Sequence, residues 1–134
     1  MKVFADFIEI ESSIGYNDVT KEIEKIVARS GIRNGIVAIH EMHTTAAIVV
    51  NENDADLHED TKDALNEIVP VKEYRHNYEG NENAAAHIKS QLLGSSITIP
   101  IINGKLALGT WQSIFFMELF EKRRRRIAVV AMGE

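Results

Sequence analysis

The sequence predicts an α+β fold: one small domain over residues 1–134, with a strand-rich mixed β core, sandwich-like, and about three helices. Three observations carry this. A chain of 134 residues that is 45% hydrophobic and 26% charged can bury one core but hardly two. Alternating and β-branched stretches outnumber stretches with helical spacing. No repeat, low-complexity tract or Pro/Ser-rich linker divides the chain, and Pro70 and Pro100 stand at element boundaries.

Residues Lys2 to Glu11 alternate apolar and polar, which predicts a strand with a slip near Ala5 and Asp6. Asn17 or Asp18 can then cap a helix carrying Val19, Ile23, Ile26 and Val27 on one face and stopping at Gly31. Gly35 to Glu41 and Thr45 to Val50 predict adjacent strands joined at His43-Thr44. Asp56 to Val69 is a looser helical pattern ended by Pro70. Asn81 to Leu93 predicts a further helix, capped by Asn81, closed by Gly94 and burying Ala84, Ala85, Ile88 and Leu92. Ile97 to Ile102, Leu106 to Leu108, Trp111 to Leu119 and Ile127 to Met132 complete the strands, the last buried on both faces or at a sheet centre.

Composition narrows the chemistry. With no cysteine, thiolate zinc sites, iron–sulfur ligation, disulfides and a cysteine nucleophile are all excluded. Any metal must be held by His, Asp, Glu or amide oxygens. Aliphatic runs are far shorter than the roughly 20 residues of a membrane-spanning helix, and Asp6, Glu9 and Glu11 interrupt any apolar signal core, so a cytoplasmic protein without membrane partners is expected. The net charge of −5 is segregated, −8 over residues 1–67 and +3 over 68–134. Lys122 and Arg123 to Arg126 form the one dense basic run. It reads as a solvated turn or a charge-protected edge, which disfavours nucleic acid and suits a small anion.

Five histidines, His40, His43, His58, His76 and His87, are the main candidates for chemistry. His40 and His43 would fall on opposite faces of a strand, and His43, beside Thr44 and Thr45 at the strand end, is the better placed. His76 lies in a Tyr/Asn/Gly-rich loop and His87 in a helix. Brought together, three imidazoles from a strand end, a loop and a helix would make a metal site with an open position. Surface or hydrogen-bonded structural histidines fit the same spacing.

Asn51 to Asp56 fails as an EF-hand, with alanine and aspartate at its fifth and sixth positions, and fits an acid-rich helix start better. Asn51, Glu52 and Asp60 remain candidates for polar contacts or water-held Mg²⁺. Gly94-Ser95-Ser96 is no P-loop, although its amides and hydroxyls suit a phosphate as well as a turn. Gly109-Thr110-Trp111-Gln112 places the lone tryptophan where it can line a cleft. In a strand from Trp111 to Leu119, Gln112 and Glu118 share a face and can serve one site, or the segment is an ordinary buried strand with Glu118 at its rim.

His43-Thr44-Thr45-Ala46, then Asn51-Glu52, Asp60, Tyr74 with His76, Asn83 with His87, Leu93-Gly94, Ser96 to Pro100, Gly104, Gly109-Thr110-Trp111-Gln112 and Glu118 resemble the YjbQ family, also called the secondary thiamine-phosphate synthase enzyme family. The resemblance covers nearly the whole chain. It implies a homotrimer of small α+β domains with a ligand site at the subunit boundary. The implied activity joins a pyrimidine-methyl diphosphate to a thiazole phosphate with release of pyrophosphate.

By the same resemblance His43, His76 and His87 bind a divalent metal, Zn or Mg, or the diphosphate. Glu118 and Asp60 orient imidazoles or hold a second metal, Gln112 hydrogen-bonds the substrate, and Glu52 stands with these three as a catalytic candidate. Asn51, Thr45, Trp111 and Ser95 are the remaining substrate-binding candidates. His40 and His58 have no match. The family's aspartate-glycine-proline turn is replaced by Phe120-Glu121-Lys122-Arg123, which leaves the arginines without an implied role. Two other functions fit the same residues: a metal-dependent hydrolase of a small phosphorylated or cyclic compound, and a non-catalytic trimer that binds a metal or small anion.

Overall fold

The computed structural model describes residues 1–134. Its elements are β1 (Lys2–Glu11), β2 (Gly15–Asp18), α1 (Thr20–Ser30), β3 (Gly35–Glu41), β4 (Ala46–Asn51), α2 (Ala55–Ile68), α3 (Asn81–Leu93), β5 (Ser96–Ile102), β6 (Lys105–Leu106), β7 (Ser113–Glu118) and β8 (Arg124–Gly133). Two sheets form, ordered β1-β8-β3-β5-β6 and β2-β7-β4, and every ladder is antiparallel. The expected mixture of strand directions thus resolves to antiparallel pairing throughout.

Period-two alternation decides what lies between the sheets. From the large sheet come Ile8, Val37, Ile39, Ile99, Ile101, Ile127, Val129 and Ala131, and from the small sheet Ala46, Ile48, Ile114 and Phe116. Ile23, Ile26 and Val27 of α1 join the same cluster of 17 buried side chains. Each fully buried Ile or Phe contributes about 1.5–3 kcal/mol by leaving water. On its other face the small sheet carries Phe115 and Met117, over which α2 and α3 lie. Ser90 ties α3 to β4 by donating to the Ala46 carbonyl at 2.6 Å, and His58 of α2 meets the Phe115 ring at 5.3 Å.

Several local expectations are corrected. β1 pairs with β8 in unbroken register, without a slip at Ala5 and Asp6, because the inward-side Asp6 is neutralised by Arg29 of α1 at 2.6 Å. The short strand β2 has no apolar alternation to announce it; it is held by pairing with β7. Val19, not Asn17 or Asp18, is the N-cap of α1 and makes no side-chain cap bond, Asp18 instead accepting from Thr20 N at 2.9 Å; the helix ends, as expected, at Gly31 with φ 70°. Asp54 caps α2 by accepting from Leu57 N. Gly80 rather than Asn81 is the N-cap of α3, the Asn81 side chain being turned back to accept from Tyr74 N. Leu92 is exposed and Asn83 buried in that helix, the reverse of the hydrophobic expectation.

Two further differences bear on function. β7 starts at Ser113, leaving Trp111 and Gln112 in the preceding turn. β8 starts at Arg124, so three of the four arginines expected in a turn are strand residues with alternating orientation. Arg124 and Arg126 face outward, while Arg125 faces the interior and is 3% exposed.

Candidate functional site

A cleft of about 510 Å³ opens where the β3–β4 turn, the β7–β8 connection and the start of α3 meet. The turn is fixed locally: Glu41, the last residue of β3, points inward and its Oε2 accepts from His43 N at 2.8 Å. The chain therefore folds back at once, placing His43, Thr44 and Thr45 on the cleft wall. From the other side come Arg123 and Arg125, and from α3 Asn83 and His87.

Arg125 anchors the cleft floor. Its Nε and Nη2 grip the two Glu118 oxygens at 2.6 and 2.7 Å, and Nη2 also donates to Thr45 Oγ1 at 3.1 Å. Glu118 further accepts from Ser12 Oγ at 2.7 Å and Phe120 N at 3.2 Å. A buried ion pair survives desolvation when its remaining acceptor sites are filled in this way. Glu118 is thus committed to holding Arg125, and Ser12, bonded to both the Arg123 amide and carbonyl, fixes the backbone of the next cation.

His43 is the most informative side chain. Its Nε2 accepts the Arg126 backbone N–H at 2.8 Å. Burial, with the nearby Arg125 charge, lowers its pKa below the ordinary 6.5, against the raising effect of Glu118. A neutral imidazole that accepts at Nε2 carries its proton on Nδ1. His43 is therefore an N–H donor at the cleft. The Thr45 hydroxyl, whose oxygen accepts from Arg125, keeps its own proton to donate. Beside these donors, Asn83 is 2% exposed and its Oδ1 has no partner.

The other candidates are placed unequally. His76 and His87 do meet, with ring centroids 4.8 Å apart, on the wall of a neighbouring cleft. No group of three His, Cys, Asp or Glu side chains lies close enough to hold one ion, and His43, with its Nε2 lone pair engaged, does not join that pair. The histidine pair alone offers two imidazole ligands. Asn51 pairs with Ser113 and Ala46 with Glu118, so Asn51, Glu52, Trp111 and Gln112 occupy the opposite end of the small sheet from His43 and Thr45. At about 3.3 Å per residue that is roughly 17 Å.

Gln112 does not share a site with Glu118 within the chain, since it precedes the strand and accepts from Gly109 N at 2.9 Å. Trp111 is 72% exposed. Asp60 is exposed on α2. Ser95 sits behind the turn, its carbonyl accepting from Glu41 N. Arg125 and Asn83 were not among the candidate site residues. The four-arginine run concealed the inward parity of Arg125, and only tertiary packing buries Asn83.

A family model described as UPF0047 protein YjbQ-like matches residues 7–134. The chain belongs to the UPF0047/YjbQ family. A UPF0047 protein of Methanothermobacter thermautotrophicus is 42% identical, covering 100% of this chain and 95% of its own. UPF0047 protein YugU of Bacillus subtilis is 40% identical over 87% of this chain and 88% of its own. Among solved structures, a YbjQ-like protein of unknown function from Sulfolobus solfataricus superposes with a TM-score of 0.92 at 37% identity, covering 99% of both chains. A YjbQ/UPF0047 protein from Clostridium acetobutylicum superposes with a TM-score of 0.89 at 39% identity, covering 95% of this chain and 99% of that one. The small domain with three helices and curled antiparallel sheets is therefore the fold of the YjbQ family.

Proposed function

We propose that the cleft beside His43 binds the phosphoryl groups of a small metabolite and that the protein is a thiamine-phosphate synthase-like transferase. The observation that carries this is the donor set: the His43 Nδ1–H, the Thr45 hydroxyl, Arg123, whose backbone Ser12 holds, and the Arg125 side chain held by Glu118 all border one cleft. Donors held in place before the reaction stabilise charge that grows during it.

In the proposed reaction the carbon–oxygen bond between the pyrimidine methylene and the diphosphate breaks, its electron pair leaving with pyrophosphate. The thiazole nitrogen then bonds to the methylene carbon. His43 and Thr45 hydrogen-bond the departing oxygens, and Arg123, once released from Glu121, neutralises their charge. Glu118 acts as a positioning residue through Arg125. His76 and His87 would supply two imidazoles toward a divalent ion, zinc or magnesium, which would add charge neutralisation if bound.

The reading includes a homotrimer. Val3, Phe7, Ile36 and Val130 are exposed on the outer side of the large sheet, an apolar face that no element of the chain covers. Burying that face against other copies would remove it from water, and the exposed Trp111, which has no role within one chain, offers a flat indole suited to a pyrimidine ring.

The test is calorimetric titration with pyrophosphate followed by the two-substrate assay. Pyrophosphate binding weakened at least about tenfold in His43→Ala and tightened in Glu121→Ala, with thiamine phosphate formed only when both substrates are present, supports the transferase. Turnover of one substrate alone would make the protein a hydrolase, and binding without turnover an anion-binding module. Unchanged affinity in His43→Ala would overturn the site itself.

A further inference from the structure

A second cavity of about 430 Å³ lies on the other side of the small sheet, between β2, the end of β7 and helices α2 and α3. It is unlike the His43 cleft in chemistry. Ile14, Leu65, Met117 and Leu119 give it an apolar wall, and it contains no arginine. Three rings stiffen one side: the His58 ring stacks on Tyr16 with centroids 3.8 Å apart and planes 8° from parallel, and Phe115 meets both edge-on. His58 Nε2 is buried without a hydrogen-bond partner.

At the α3 side stands Lys89. Its ammonium donates to Asn66 Oδ1 at 2.7 Å and has no carboxylate within ion-pair distance. Burial lowers its pKa from the ordinary 10.5, the direction expected of a cation that lacks a counter-charge. Lys62 and Glu59, also on the wall, are exposed and offset one another in charge.

We infer that this cavity binds a small monoanionic carboxylate with an aromatic or aliphatic body, its carboxylate on Lys89 and its body against Leu65, Met117 and the stacked Tyr16–His58 pair. One unmatched cation suits one negative charge, and the absence of arginines from the lining makes a phosphate dianion a poor occupant. The volume is that of an ordinary small-ligand pocket. Glu118 borders this cavity as well as holding Arg125 of the His43 cleft, but its carboxylate is spent on Arg125, and the inference uses no residue that contacts substrate in the proposed transferase, so the two readings can fail separately.

Phenylacetate is the probe, titrated into the intact protein by calorimetry and by two-dimensional NMR, with phenethyl alcohol as its uncharged counterpart. The expected result is one site per chain, with shifts at His58, Leu65 and Met117. Affinity falls at least about tenfold for the alcohol and for Lys89→Met, which keeps the aliphatic stem, as loss of one charge-assisted hydrogen bond requires. Ile14→Glu, at an exposed rim position, folds normally and also weakens binding. Equal affinity of the alcohol, undiminished binding by Lys89→Met, shifts at His43 instead, or no binding at millimolar phenylacetate would each overturn the inference.

Discussion

At the residue scale the cleft depends on a carboxylate and a guanidinium that water does not reach. Glu118 and Arg125 are worth little as a net gain, because desolvation offsets their attraction, yet removing one leaves the other charged and buried. Arg125→Met is therefore expected to lower stability by about 3–5 kcal/mol, measured by urea denaturation. Glu118→Gln, which leaves Arg125 uncompensated, should cost a similar amount.

Two neighbouring groups titrate in opposite senses. His43, whose pKa is lowered in the fold from 6.5, stays neutral while the unfolded chain binds a proton, so its contribution is lost as pH falls from 6.5 toward the folded value. Glu41, whose pKa burial raises from 4.5, keeps its proton while the unfolded chain has lost one, so its contribution falls as pH rises above 4.5. His43→Gln removes only the first effect. Stability measured across this range should then show less loss on acidification just below pH 6.5; an unchanged slope would mean that His43 is not neutral in the fold.

At the element scale the tightest constraint is the crossing of β3 and β8. Gly35 pairs with Gly133, and a Cβ on Gly35 would stand 2.0 Å from the Met132 carbonyl oxygen and 2.8 Å from Gly133 Cα. Both neighbours are backbone, so neither can rotate away. Gly35→Ala should cost more than the about 1–3 kcal/mol usual for an overpacked core, with hydrogen exchange faster along β3 and β8 than in β7. Helix α2 is the opposite case, since none of its residues is buried. Single substitutions on its outer face should change stability by less than about 0.5 kcal/mol.

For the whole molecule, the outer face of the large sheet is left uncovered by the chain. Phe7 is 47% exposed there, beneath the Arg126 guanidinium at 3.7 Å, with Val130 on the adjoining strand. In the proposed trimer this face is buried, and Val130→Glu would place an unpaired charge in it. It is expected to give monomers in sedimentation at micromolar concentration, with thermal stability falling and becoming less dependent on protein concentration. A trimer that survives this change would mean that subunits associate through another face. No helix of the protein is long and apolar enough to cross a membrane.

The sequence by itself determined the α+β class, the positions of most strands and all three helices, because period-two and 3.6-residue spacing, Gly31, Pro70 and Gly94 are local signals with local physical causes. It also marked His43 and Thr45 as a strand-end group and offered His43, His76 and His87 as histidines that could converge, of which only the last two meet. What only the tertiary structure decided is which polar residues meet. β2 exists through its ladder with β7, and Arg125 turns inward through the register of β8 against β1. The separation of Gln112 from Glu118 follows from where β7 begins. These depend on pairings between residues 80 or more positions apart, as between Ser12 and Glu118 or Thr45 and Arg125, and no spacing rule along a chain reaches that far.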